Sequence, residues 1–145
     1  MSQIVINSTV DNSRAPETIS NITRWHYDRN LIDGTTDQAQ FIKLLEEIIE
    51  VFMAINPGLS PEKASEELQS IIRKLSEDGK IKTDPTGETL ADSIGDSNVV
   101  LINIAERNNL TMARCLATAY DGIKDRTGRM IDGVFVKEAD LPENQ

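Results

Sequence analysis

The chain is interrupted at short, regular intervals by residues that stop helices. Asp33-Gly34, Asn56-Pro57-Gly58, Asp78-Gly79, Asn108-Asn109 and Gly128 divide it into pieces of helical length. Between the stops, apolar residues recur at helical spacing rather than alternating as in strands. The 145 residues suit one domain with one core. This pattern predicts an all-α fold, a bundle of four or five helices joined by short loops.

The boundaries follow from local chemistry. Residues 1–15 are polar and rich in Ser, Asn and Thr, and are expected to form a flexible arm with a short strand at Ile4 to Ile6. Pro16 suits the first turn of a helix running towards Asn30. Thr35 or Thr36 caps a second helix that continues to Ile55. Ser60-Pro61-Glu62 opens a third, with Leu68, Ile71, Ile72 and Leu75 on one apolar face. After a loop from Lys80 to Gly87, a fourth helix is expected from about Glu88 to Arg107. Thr111 caps a fifth, from Met112 to about Arg126. Asp132-Gly133 between short apolar runs signals a C-terminal β-hairpin with a two-residue turn. The helical domain is thus expected over residues 16–137, with residues 138–145 as a loose tail.

Composition removes several classes of protein. One cysteine cannot form an intramolecular disulfide, and one cysteine with one histidine cannot build a four-ligand zinc finger. A reducing, cytoplasmic compartment is the expectation. No apolar run reaches the ~18 residues of a membrane span. Lys plus Arg total 15 and Asp plus Glu total 24, a formal charge of −9. That balance argues against a nucleic-acid polymer, whose phosphates call for a basic surface. It leaves single nucleotides open, because a metal can bridge an acidic site to a phosphate.

The charge is not evenly spread. On the second helix, at about 100° per residue, Glu46, Glu47 and Glu50 fall within one arc of about 100°. Phe41, Leu44, Leu45, Ile48, Ile49, Val51, Phe52 and Ile55 occupy the other side. An ordinary solvated face mixes signs, since like charges at i,i+4 repel. Glu46 and Glu50 are such a like pair, and a cation would offset their repulsion. The fourth helix carries Glu88, Asp92 and Asp96 in one row, followed by Asn98 to Ala105, apolar nearly all round. A helix apolar on every side needs cover from a large core or an oligomer. Carboxylates from two such helices would offer oxygen ligands suited to Mg²⁺ or Mn²⁺. A di-iron bundle calls for Glu-x-x-His on two helices. The one histidine here is His26, with Thr at 23.

These motifs resemble the all-α nucleotide pyrophosphohydrolases, the MazG-like superfamily. Its hallmark is Glu-Glu-x-x-Glu on one helix and Glu-x-x-Asp on a later one. Glu46-Glu47-Ile-Ile-Glu50 matches the first part, and Asp96 matches the final Asp. The family's remaining Glu is Ser93 here, and Asp92, on nearly the same face, is the candidate replacement. Trp25 to Leu31 with Gly34 to Gln40 resembles the family's approach to the metal helix. Lys124 to Met130 with Gly133 to Lys137 resembles the C-terminal block of phage and bacterial members. The resemblance covers residues 20–137 or so.

The resemblance implies metal-dependent hydrolysis of a (deoxy)nucleoside triphosphate to the monophosphate and pyrophosphate, with Mg²⁺ and with Mn²⁺ as a substitute. Glu47, Glu50 and Asp96 are the expected metal ligands, Glu46 a further ligand or water-orienting base, and Asp92 the substituted member. A purine nucleotide such as dGTP or GTP is favoured by the phage-like C-terminal block. Dimers or dimer-of-dimers tetramers are the expected assembly. Lys43 either pairs with Glu47 or reaches a phosphate. Lys124, Arg126 and Arg129 either bind phosphates or form the basic cluster that a helix C-terminus favours. Trp25 either stacks on a base or packs in a core or interface. His26 and Asn30 are candidate partners of base or sugar, although a lone His is more often structural. Cys115 is expected to be a buried small hydrophobe. The competing reading is a non-catalytic nucleotide-binding or helical oligomerisation protein on the same scaffold.

Overall fold

The computed structural model describes residues 12–81 and 89–142. Among the described residues are five α-helices, a two-stranded antiparallel hairpin and one turn of 3-10 helix. The expected all-α bundle with a C-terminal hairpin is therefore observed. One domain was expected, but the chain divides into two compact units. One contains residues up to Thr35 and from Thr89 onward, and the other spans Thr36–Glu88.

The second unit is a helical hairpin of α2 (Asp37–Ile55) and α3 (Pro61–Glu77). Both helices start as the sequence predicts. The Thr36 hydroxyl accepts from the Ala39 amide at 3.2 Å, and the Ser60 hydroxyl accepts from the Lys63 amide at 3.2 Å. Each satisfies one of the amides a helix leaves free in its first turn. Between them, Pro57 and Gly58 (φ +88°) form a tight turn in which the Leu59 amide reaches the Asn56 carbonyl. Gly58 takes the left-handed position that such a turn reserves for glycine. Ala64 is the one buried residue of this hairpin among those described.

The first unit contains α1 (Ala15–Asp28), α4 (Thr89–Arg107), α5 (Met112–Ile123), β1 (Gly128–Ile131) and β2 (Val134–Lys137). Its core holds Trp25, Leu31, Ala105, Thr111, Ala113 and Leu141. α5 is secured at both ends by residues distant in sequence. At its start, the Thr111 hydroxyl accepts from the Arg114 amide, and the Asn12 side-chain carbonyl accepts from the Ala113 amide at 3.1 Å. At its end, the Trp25 indole donates to the Ile123 carbonyl at 2.9 Å. Arg29 donates to the carbonyls of Arg126 at 2.8 Å and Lys124 at 3.1 Å. The Arg29 guanidinium lies over the Trp25 ring, 4.6 Å from its centre. Side chains of α1 thus take carbonyls that a continuing helix would use, and α5 ends at Ile123 rather than near Arg126.

Three helices end in the same way. After α1, α3 and α4, a residue in the left-handed region (Asn30, Gly79, Asn109) is followed by an amide that reaches back five residues. Leu31 bonds His26, Lys80 bonds Leu75, and Leu110 bonds Ala105. This arrangement satisfies the last carbonyls and reverses the chain within two residues.

The strands pair Ile131 with Val134 across Asp132 and Gly133, both at positive φ. That is the two-residue turn whose twist matches antiparallel strands. Phe135 meets the Trp25 ring edge-on, with centroids 5.7 Å apart. Gly128 lies so close to Val136 and Phe135 that a Cβ would strike the Val136 carbonyl.

Two expectations, the tail and Cys115, need correction. Residues 138–142 are not a loose tail. Glu138–Asp140 form a turn of 3-10 helix, and Leu141 is only 2% exposed. The apolar α4, expected to need cover from a large core or an oligomer, is largely exposed in the single chain, with only Ala105 buried. Cys115 is half-buried rather than buried. The expected strand at Ile4 to Ile6 and Glu88 lie outside the described residues.

Candidate functional site

α2 carries Glu46, Glu47 and Glu50, all exposed, with Glu50 one helical turn beyond the adjacent pair, as the period requires. Lys43 stands one turn before them. Its ammonium lies 2.8 Å from Glu46 and 3.5 Å from Glu47. The hydrogen bond to Glu46 raises the Lys43 pKa above the ordinary lysine value, and the Glu47 charge adds to the effect. The stripe is therefore a row of carboxylate oxygen donors, two of them already paired with a cation. Its Coulomb contribution to stability is small, because both partners stand more than half in solvent.

Asp92 and Asp96 lie one turn apart in the first half of α4, both exposed. Between them is Ser93, whose carbonyl accepts from the Ser97 hydroxyl at 2.7 Å. The five carboxylates thus divide between the two units, three on α2 and two on α4. Among the described residues, no group of three or more His, Cys, Asp or Glu side chains is gathered around a single metal position. An open hollow of about 440 Å³ lies at the α2–α3 turn instead, lined by Ile55 to Leu59 and Glu67.

The remaining candidates are placed as follows. Trp25 is 8% exposed, with its indole N–H and one ring face in use by the α5 junction. His26 is half-buried against it. Its Nδ1 meets the Ile22 carbonyl at 2.9 Å, and since a carbonyl only accepts, Nδ1 carries the proton and leaves Nε2 available. Asn30 holds the left-handed position after α1, and its carbonyl accepts from the Gly34 amide at 2.9 Å. A Cβ on Gly34 would strike Asn30, so the Gly34 position fixes the Asn30 side chain closely. Lys124 pairs with Asp121 at 2.9 Å, and that hydrogen bond raises its pKa. Arg126 reaches the Gly122 carbonyl, one turn back. Arg129 stands exposed on β1.

Sequence reasoning missed Arg29. Its partners lie 95 and 97 residues away. No local pattern marks a side chain that caps a distant helix.

The comparisons with known proteins are sparse. No family model matches the chain, and no solved structure matches it. A similar protein is the uncharacterized 18.2 kDa protein in the rep-hol intergenic region of Haemophilus phage HP1, 33% identical over 92 residues. The match covers 63% of this chain and 40% of that relative. Among the described residues, no helix is long and apolar enough to cross a membrane.

Proposed function

We propose that the protein is a metal-dependent nucleotide pyrophosphohydrolase of the MazG-like kind. It hydrolyses a (deoxy)nucleoside triphosphate, with purine nucleotides such as dGTP or GTP favoured, to the monophosphate and pyrophosphate. The observation that carries the reading is the α2 stripe of Glu46, Glu47 and Glu50, set opposite an apolar face. Its donors fit Mg²⁺ or Mn²⁺, since all are carboxylate oxygens, and an exposed row suits an ion that keeps several waters. Glu47, Glu50 and Asp96 are the proposed ligands, with Asp92 in place of the acid missing at Ser93. When bound, the metal neutralises phosphate oxygens and favours attack by water. Glu46 orients that water or adds a ligand. Lys43 restrains Glu46 and Glu47, and with Lys124, Arg126 and Arg129 supplies positive charge for the triphosphate. His26, through Nε2, and Asn30 are the proposed partners of base or sugar, while Trp25 holds the junction that carries them.

The exposed apolar residues of α2 and α4 support a homo-oligomer, either a dimer or a dimer of dimers. The setting proposed is the cytoplasm of a bacterial or phage-infected cell, with no nucleic-acid polymer or membrane as partner. A second reading, a non-catalytic nucleotide-binding or oligomerisation protein, is favoured by Ser93 at the family's Glu position. Pyrophosphate release from a panel of the common ribo- and deoxyribonucleoside triphosphates, with and without Mg²⁺, separates the two. Turnover that disappears in Glu50→Gln supports the enzyme. Binding without turnover of any nucleotide supports the second reading.

A further inference from the structure

Little of the α2–α3 hairpin is covered, and even Ile55 beside its turn is 50% exposed. Near the turn, Val51, Phe52 and Met53 on α2 are half-buried, and Ala64 on α3 is fully buried. Further out, Phe41, Ile42, Leu44, Leu45 and Ile48 on α2 and Ile71, Ile72 and Leu75 on α3 are exposed by 41–62%. With about half of roughly 150–200 Å² open on each large side chain, these eight present about 600–700 Å² of surface. A standard protein–protein interface takes about 800 Å² from each partner. Completed by a polar rim, the open face is the size of one stable interface.

The charges beside this face select the occupant. On α3, Lys63, Glu67, Lys74 and Asp78 lie along one flank of the stripe formed by Ala64, Leu68, Ile71 and Leu75. Their signs run plus, minus, plus, minus, at spacings of four, seven and four residues. In an antiparallel pair of identical helices, like flanks face one another and the order is reversed. A two-fold axis between Ser70 and Ile71 then sets Glu67 beside the partner's Lys74 and Lys63 beside the partner's Asp78, each twice. No like charges meet on that flank. Parallel pairing would instead oppose it to the flank of Ser65, Gln69 and Ile72, which carries no charge. In the single chain these groups pair locally, Lys63 with Glu66 and Lys74 with Asp78, both at 2.8 Å. All are largely exposed, so the lysines are free to re-pair.

We propose that the α2–α3 hairpin docks against the same hairpin of a second copy, with the two α3 helices antiparallel and in register about Ser70–Ile71. The inference rests on the self-association part of the proposed function and names its seam. The test is sedimentation or light scattering of the full chain from low to high micromolar concentration, with helix content checked by circular dichroism. The wild type is expected to self-associate. Glu67→Lys and Lys74→Glu each turn two attractive pairs into repulsive ones and should raise the dissociation constant by about tenfold or more. The double variant Glu67→Lys/Lys74→Glu restores opposite signs and should return within about threefold of wild type. Three results overturn the proposal: a wild type that stays monomeric throughout, single variants that associate as wild type does, or a double variant no better than the singles. Pyrophosphate release in the same samples is read separately. Its absence in an associating protein counts against the catalytic reading and leaves the seam intact.

Discussion

Arg29→Ala should loosen the junction between α1 and α5. In the native chain the guanidinium gives two hydrogen bonds, 2.8 Å to the Arg126 carbonyl and 3.1 Å to the Lys124 carbonyl, and it covers Trp25. Hydrogen bonds from a charged donor contribute about 1.5–3 kcal/mol when sheltered. The Lys124 bond is exposed and is worth less. Stacking on the indole adds about 0.5–1 kcal/mol. The sum for Arg29→Ala is a loss of about 2–4 kcal/mol. In a chain of this size each kcal/mol moves the melting point about 3–4 °C, so Tm should fall by about 6–15 °C. Arg29→Lys keeps the charge but reaches at most one carbonyl and loses the planar stack, so it should fall between. Trp25 is the chain's one tryptophan, so its emission reports this junction directly. Uncovering a ring that is 8% exposed should shift that emission to the red before global unfolding. An Arg29→Ala protein with unchanged emission and a Tm within about 2 °C of wild type would refute the account.

Other outcomes follow from the same geometry. Under the proposed function, Glu50→Gln and Asp96→Asn should each lower pyrophosphate release by about a hundredfold or more while leaving circular dichroism unchanged, and near-native turnover in both would remove the site assignment. Lys43→Gln frees Glu46 and Glu47, so Mg²⁺ should bind several-fold tighter by calorimetry while KM for the nucleotide rises. Because the Lys43 pKa is raised, its pairing should persist below the ordinary lysine range and fade only as pH climbs through the raised value, which the chemical shift of its terminal methylene tracks. Gly128→Ala should disrupt the hairpin, because a Cβ there strikes the Val136 carbonyl, and strand-specific amide protection is the measure.

The sequence was most legible where structure depends on neighbours in the chain. Thr36, Ser60 and Thr111 cap helices because a hydroxyl three residues before a free amide has little choice. Asp132-Gly133 turns the hairpin because both positions need positive φ. The α2 carboxylates share a stripe because the helical period puts them there. What escaped is long-range. The end of α5 is set by Trp25 and Arg29 of α1, and Leu141 is buried in a tail with no apolar period. The aspartates of α4 and the glutamates of α2 belong to different units of the chain. In the sequence, the link between them rested on the acidic rows of the two helices and on the resemblance.

The division into units also has a consequence for biosynthesis. The α2–α3 hairpin is an insertion, and the unit around it is made from both sides of that interruption. Trp25 and the carbonyl it needs are 98 residues apart. At about 5–20 residues per second, α1 waits roughly 5–20 s on the ribosome for α5 to be made. A 14-residue helix is marginal alone in water. The inserted hairpin has its two strands of helix adjacent in sequence and can form during that interval. The tryptophan's partner carbonyl, by contrast, is supplied only once α5 has been made.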